Sequence, residues 1–153
     1  MIKVNVLSED KSWSKKLKKK EIFFNSICKF FPKKFQFTEK KVYFTLLLSN
    51  NKNIKKLNKK FRNKNKSTDV LSFPFHNETK LKYLLKNEKE IYLGDIIINF
   101  NEVGYKNNLK LFKSRFDKLW VHGLVHLFGH DHKSEKDFKK MKRVEIEYLK
   151  NIK

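Results

Sequence analysis

The sequence predicts an α+β domain built on one small mixed sheet covered by helices. Three observations carry that prediction. Segments of strand periodicity alternate with segments of helical periodicity as far as residue 100, and helices dominate the remaining third of the chain. A chain of 153 residues with 39% hydrophobic content and 15 phenylalanines can fill one core but not two comfortable ones. No internal repeat, Gly/Ser linker, GxGxxG or GxxxxGK[ST] loop divides the chain or favours a nucleotide-binding fold of those types. Residues 1–153 are therefore expected to form a single domain.

Taken in order, IKVNVL (2–7) alternates like a short strand, and KSWSKKLKKKEIFFNSICKFF (11–31) reads as one helix closed by Pro32. KVYFTLLLS (41–49) is a second strand, bounded by the turn-like NNKN. NIKKLNKKF (53–61) spaces Ile54, Leu57 and Phe61 as an amphipathic helix does, with Arg62 directly after it. TDVLSFPF (68–75) reads as an edge strand, because Pro74 cannot donate to a ladder. The Lys-rich stretch 76–90 is expected to be a loop with a helical turn at LKYLL, and IYLGDIIINF (91–100) is the strongest strand in the chain. After the connection NEVGYKNN, a long helix runs from about Phe112 through Leu119, Trp120 and His122 to Phe128, where Gly129 stops it. A last helix starts at the N-cap Ser134 and carries Phe138, Met141, Val144, Ile146 and Leu149.

No run approaches the ~20 apolar residues of a membrane helix, and MIKVNVLSEDKSW lacks the apolar segment of a secretory signal, so the chain is expected to be cytoplasmic with no membrane partner. A single cysteine, Cys28 within FFNSICKFF, reads as an inert buried thiol. The net charge of +21 invites a polyanionic partner. Nearly all of it is lysine, however, in a chain that has no alanine and is rich in Asn, Ile and Phe, a profile that AT-rich coding imposes on any protein. Surface lysines that do meet RNA would contact phosphates and not read bases, so binding is expected to be salt-dependent and weakly sequence-specific. The arginines, Arg62, Arg115 and Arg143, are more informative than any one lysine.

The densest chemistry lies in HGLVHLFGHDH (122–132), which holds four of the five histidines. His122 and His126 are four apart and share one helix face. Gly129 can turn the chain back, so His132 can join them. Three neutral imidazoles with an open fourth position make a catalytic zinc site, whereas structural zinc sites fill all four positions, commonly with thiolates. From Leu119 to Phe128 everything but the two histidines is apolar or glycine, so unpaired imidazoles there would be penalised and a metal would satisfy them. About one zinc per chain is expected. Asp131 can orient a liganding imidazole or cap the turn, and His76 reads as a surface loop residue.

The histidine spacing is that of metzincin peptidases, HExxHxxGxxH, whose Glu deprotonates the metal-bound water. Here that position is Gly123, so a peptidase would lack its general base. Phosphodiester cleavage makes other demands: a metal to activate oxygen and a cation to neutralise developing charge. Such a site needs an arginine more than a glutamate.

In these blocks the chain resembles a known family. HGLVHLFGHDH is similar to the HGxLHLxGYDH signature of the YbeY family of bacterial rRNA maturation endoribonucleases. NKKFRNKNKSTDVLSFPF resembles that family's second block, an arginine shortly before a T-D/N-V-LSFP strand, and LGDIIIN resembles its third. The resemblance implies an α+β domain with a mostly parallel small sheet and zinc on His122, His126 and His132. It implies Arg62 as the catalytic cation, acting beside His122, and as an RNA contact. One departure is His130, where the family often has Tyr; with Asp131 it is a candidate for supporting the ligands. The implied activity is single-strand-specific cleavage of RNA in rRNA processing, at the 3′ end of 16S rRNA and in ribosome quality control, with the small ribosomal subunit as partner.

Two rivals stand beside this reading: a peptidase-like hydrolase on the same metal scaffold, disfavoured by Gly123, and a non-catalytic ribosome-assembly protein that binds RNA through lysines and uses its metal only to fold.

Overall fold

The computed structural model of the chain describes residues 1–152. In chain order its elements are β1 (Ile2–Ser8), α1 (Ser12–Lys16), α2 (Lys20–Ile27), β2 (Lys41–Ser49), α3 (Asn51–Arg62), β3 (Val70–Pro74), α4 (Glu78–Asn87), β4 (Glu90–Asn99), α5 (Phe100–Val103), α6 (Leu109–Leu127) and α7 (Glu135–Leu149). The four strands form one sheet in the order β1-β2-β4-β3. β1, β2 and β4 run parallel and β3 pairs antiparallel to β4, so the sheet is mixed and mostly parallel. β3 is an edge strand, and Pro74 lies at its end.

Strand alternation divides the core between the two faces. Val42, Phe44, Leu46 and Leu48 of β2, with Ile96 and Ile98 of β4, are wholly buried against α1, α2, α6 and α7. Each such side chain contributes about 1.5–3 kcal/mol by leaving water. Trp13 anchors α1 there: its ring packs on Phe100, Phe112 and Phe116, and its Nε1 donates to the Ser49 carbonyl at 2.9 Å. The opposite face is covered only in part, where Ile54 of α3 meets Leu71 and Ile97 in a small second cluster.

Two expectations are corrected. The single helix read over 11–31 is two helices: α1 stops before Leu17, which is extended, and Lys19 is left-handed at φ 47°. The apolar spacing continues in phase, but Lys15, Lys16, Lys18, Lys19 and Lys20 crowd like charge into six residues and against the positive end of α2. Residues 76–90 are not a loop: Asn77 caps α4 by accepting from the Lys80 N–H, and Leu81 is buried beneath it. In α7 the buried stripe is Met141, Glu145 and Tyr148, while Phe138 and Ile146 are exposed. Cys28 is buried, and burial pushes its thiol up to about 12. No helix among the described residues is long and apolar enough to cross a membrane.

Candidate metal centre

The site is carried by the end of α6, which enters the core through Phe112, Phe116, Leu119 and Trp120 and so holds its last two turns rigidly. Gly123 lies directly against β4: a Cβ there would come within 2.8 Å of Ile96 Cγ2. The position after the first histidine is therefore filled by sheet packing and has no room for a side chain. Past Leu127 the chain reverses through Gly129 at φ 90°, with Gly129 N–H donating to the His126 carbonyl and His130 N–H to that of Val125. This is a Schellman closure, and it returns His132 to the face of His122 and His126.

The ligand atoms of His122, His126 and His132 all lie within 4.8 Å of one another. His122 Nδ1 donates to Glu145 Oε1 at 2.7 Å, and His126 Nδ1 donates to the His130 carbonyl at 2.8 Å. Those partners fix the tautomers, leaving both Nε2 atoms as acceptors that face each other at 3.2 Å. Two facing lone pairs at that distance call for a shared cation. Burial first, then the neighbouring His122 imidazole, lower the His126 pKa, which keeps the ring in the neutral form a metal requires. The donor set fits a metal ion.

The supporting groups differ in part from those the sequence suggested. His130 contributes its carbonyl; its imidazole is outside the three-histidine cluster and faces Glu78 and Lys140. The Asp131 carboxylate accepts the His132 N–H at 2.8 Å and pairs with Lys133, contacts that hold the turn. The carboxylate that does touch a ligand ring is Glu145, 9% exposed on α7, which sequence reasoning missed because its charge assigns it to the polar face. Its place four residues after Met141 and three before Tyr148 is the signal that could have found it. Burial pushes the Glu145 carboxyl up, and the His122 hydrogen bond with the Lys142 charge more than reverses this.

Arg62, the last residue of α3, lines a cavity of about 460 Å³ together with Ser72, His76, His126 and His132. It is exposed and has no ion-pair partner among the described residues. His76, read as a surface residue, faces this same cavity. Lys82, Lys133 and Lys140 line the adjoining recess of about 490 Å³. On the other side of His122, a recess of about 400 Å³ is edged by Arg115, Lys118 and Lys142. The histidine cluster thus lies between two sets of recesses, one lined by Arg62 and lysines and the other edged by Arg115 and lysines.

Comparison with known proteins decides the family. The model of the family described as Endoribonuclease YbeY matches residues 5–153. The chain belongs to the YbeY endoribonuclease family. The Endoribonuclease YbeY of Pelagibacter ubique is 54% identical over 100% of this chain and 97% of its own length. That of Ehrlichia canis is 30% identical over 99% of this chain and 93% of its own. The solution structure of a Thermotoga maritima protein superposes with a TM-score of 0.54 at 26% identity, covering 96% of this chain and 89% of that one. YbeY membership makes the chain an RNA-cleaving hydrolase by family, and the histidine cluster is the metal site its own fold can offer.

Proposed function

We propose that residues 1–153 form one catalytic domain, a single-strand-specific, zinc-dependent endoribonuclease. It acts in the cytoplasm on rRNA of the small ribosomal subunit, in maturation of the 16S 3′ end and in ribosome quality control. The observation that carries the chemistry is a cluster of three imidazoles, two of which, His126 and His132, line one cavity with Arg62. The rRNA substrate is supported by the resemblance of the three sequence blocks to the family.

His122, His126 and His132 would hold one zinc ion, which when bound supplies a Lewis acid toward a phosphoryl oxygen. Glu145 and the His130 carbonyl fix the first two rings. Arg62 presents a planar fork to two oxygens of the scissile phosphate and neutralises charge that grows in the transition state. Lys82, Lys133 and Lys140 bind neighbouring phosphates without reading bases. A strand must enter a recess of about 460 Å³ to reach the histidines, which favours an unpaired backbone over a rigid duplex. The peptidase alternative meets the Ile96 side chain where its general base would sit.

The test is one cleavage gel: zinc-loaded protein on single-stranded RNA, the same with chelator, and on casein. RNA cleavage lost on chelation, with casein intact, is expected. Casein cleavage would establish the peptidase alternative, and RNA bound but left whole would leave only an assembly factor.

A further inference from the structure

The sheet face turned away from the histidines carries two sets of aromatic rings. α3 covers Leu47, Leu71 and Ile97 on that face, and beyond it Tyr43 and Tyr92 are register partners with centroids 5.2 Å apart. Tyr92 packs on Phe75 at 5.4 Å, and Phe73 packs on Phe61 at 5.4 Å. Phe75 and Phe61 are 67% and 58% exposed, although each could have been polar at no cost to the core. Positive charge surrounds the rings. Lys41 Nζ lies over Tyr43 at 4.9 Å and Lys60 Nζ over Phe61 at 5.1 Å, and exposed Lys3 sits beside Tyr43 in register. The bordering helix α3 carries Lys52, Lys55, Lys56, Lys59 and Lys60 and no acid. The opposing carboxylates are engaged: Asp95 accepts the Tyr92 hydroxyl, and Glu90 pairs with Lys41.

Edge strand β3 joins this face to the cavity. Ser72 and Pro74 line the cavity with the histidines, while Phe73 between them packs beneath α3. At the end of α3, Phe61 belongs to the aromatic face and the next residue, Arg62, to the cavity.

We propose that Tyr43, Tyr92, Phe75 and Phe61 form a stacking platform for unpaired bases of single-stranded nucleic acid, whose backbone crosses β3 into the metal cavity. Stacking on rings is indifferent to base identity and the lysines bind phosphates, so the platform supplies length and single-strand preference without sequence. This rests on the nuclease reading, and deepens it by giving the strand a path.

The test compares two fluorescein-labelled single strands with equal numbers of phosphates, an oligodeoxyadenylate and its abasic counterpart, by anisotropy on the full chain. The wild type should prefer the base-bearing strand by roughly tenfold or more, the scale of one or two base–aromatic stacks. Phe75→Leu and Tyr92→Ala should shrink that preference, while Tyr92→Phe keeps it. Because Phe75 is exposed, Phe75→Leu remains informative even if Tyr92→Ala unfolds. Equal affinity of the wild type for both strands overturns the proposal, as does an unchanged preference in Phe75→Leu. Self-association of the wild type that Phe75→Leu abolishes, without base preference, makes the face a protein interface instead. A wild type that cleaves RNA without base preference defeats only the platform; one that prefers bases and never cleaves defeats only the nuclease reading.

Discussion

His122 Nδ1 and Glu145 Oε1 lie 2.7 Å apart, tying the helix that carries the histidines to the last helix of the chain. A carboxylate behind a liganding imidazole fixes its orientation and raises its basicity. Glu145→Ala should therefore weaken zinc binding by about 10- to 100-fold, whereas Glu145→Gln, which still offers an oxygen to Nδ1–H, should lose less. Competition with a chromophoric chelator measures both. Zinc affinity unchanged in Glu145→Ala would reduce the contact to a packing detail.

Gly123 predicts a second outcome that runs against helix propensity. Alanine is ordinarily the better helix former by about 1 kcal/mol. At this position its Cβ would meet Ile96 Cγ2 at 2.8 Å inside a fully buried contact. Overpacking of that kind costs about 1–3 kcal/mol, so Gly123→Ala should be net destabilising in urea denaturation. Adding Ile96→Ala removes the clashing atoms, and in that background Gly123→Ala should become neutral or stabilising. Additive effects of the two changes would refute the contact.

These two residues also mark what could be read from the sequence. Local spacing made the histidines legible, because i, i+4 on a helix and a glycine turn bring them together without help from distant chain. Strong periodicity likewise gave β2, β4 and α6. The order of the strands depends on non-local pairing that no single segment encodes, and the parallel sheet was expected only from the family resemblance. Glu145 escaped because a charged residue on a buried stripe looks like the edge of a polar face until its partner is known. α4 escaped because Asn77 reads as loop composition until its cap to the Lys80 N–H is seen. His76 reaches the cavity only through the path of β3.

Asp117 gives a pH prediction. Its carboxylate accepts Trp120 Nε1 at 2.9 Å on α6, and burial pushes its pKa from 3.8 up to about 6 against that bond and the Lys113 charge. A pKa raised on folding means the folded state holds the proton more tightly. The stability this group contributes is complete below its unfolded value of 3.8 and is lost as pH rises through about 6. Asp117→Asn keeps an acceptor for Trp120 and removes the loss. It should be more stable than wild type at neutral pH by up to about 3 kcal/mol, with the gap closing toward pH 4. Urea melts of both proteins across that range measure the difference; a gap independent of pH would mean Asp117 ionises freely.

Arg62 bears most directly on how the chain manages without a glutamate. In a sequence so poor in arginine it stands at the end of α3, exposed, without an ion-pair partner among the described residues and on the rim of the histidine cavity. A residue that only capped its helix would leave zinc, fold and cleavage alike when removed. One that neutralises the scissile phosphate would leave zinc and fold but not cleavage. Arg62→Ala should thus keep its metal content and melting curve and lose RNA cleavage by roughly two orders of magnitude or more, the scale of one preorganised charge stabiliser. Arg62→Lys should recover only part of this, because an ammonium cannot hold two phosphate oxygens with a planar fork. Single-turnover cleavage with zinc-loaded protein separates the outcomes, and a wild-type rate in Arg62→Ala would remove the arginine from the mechanism.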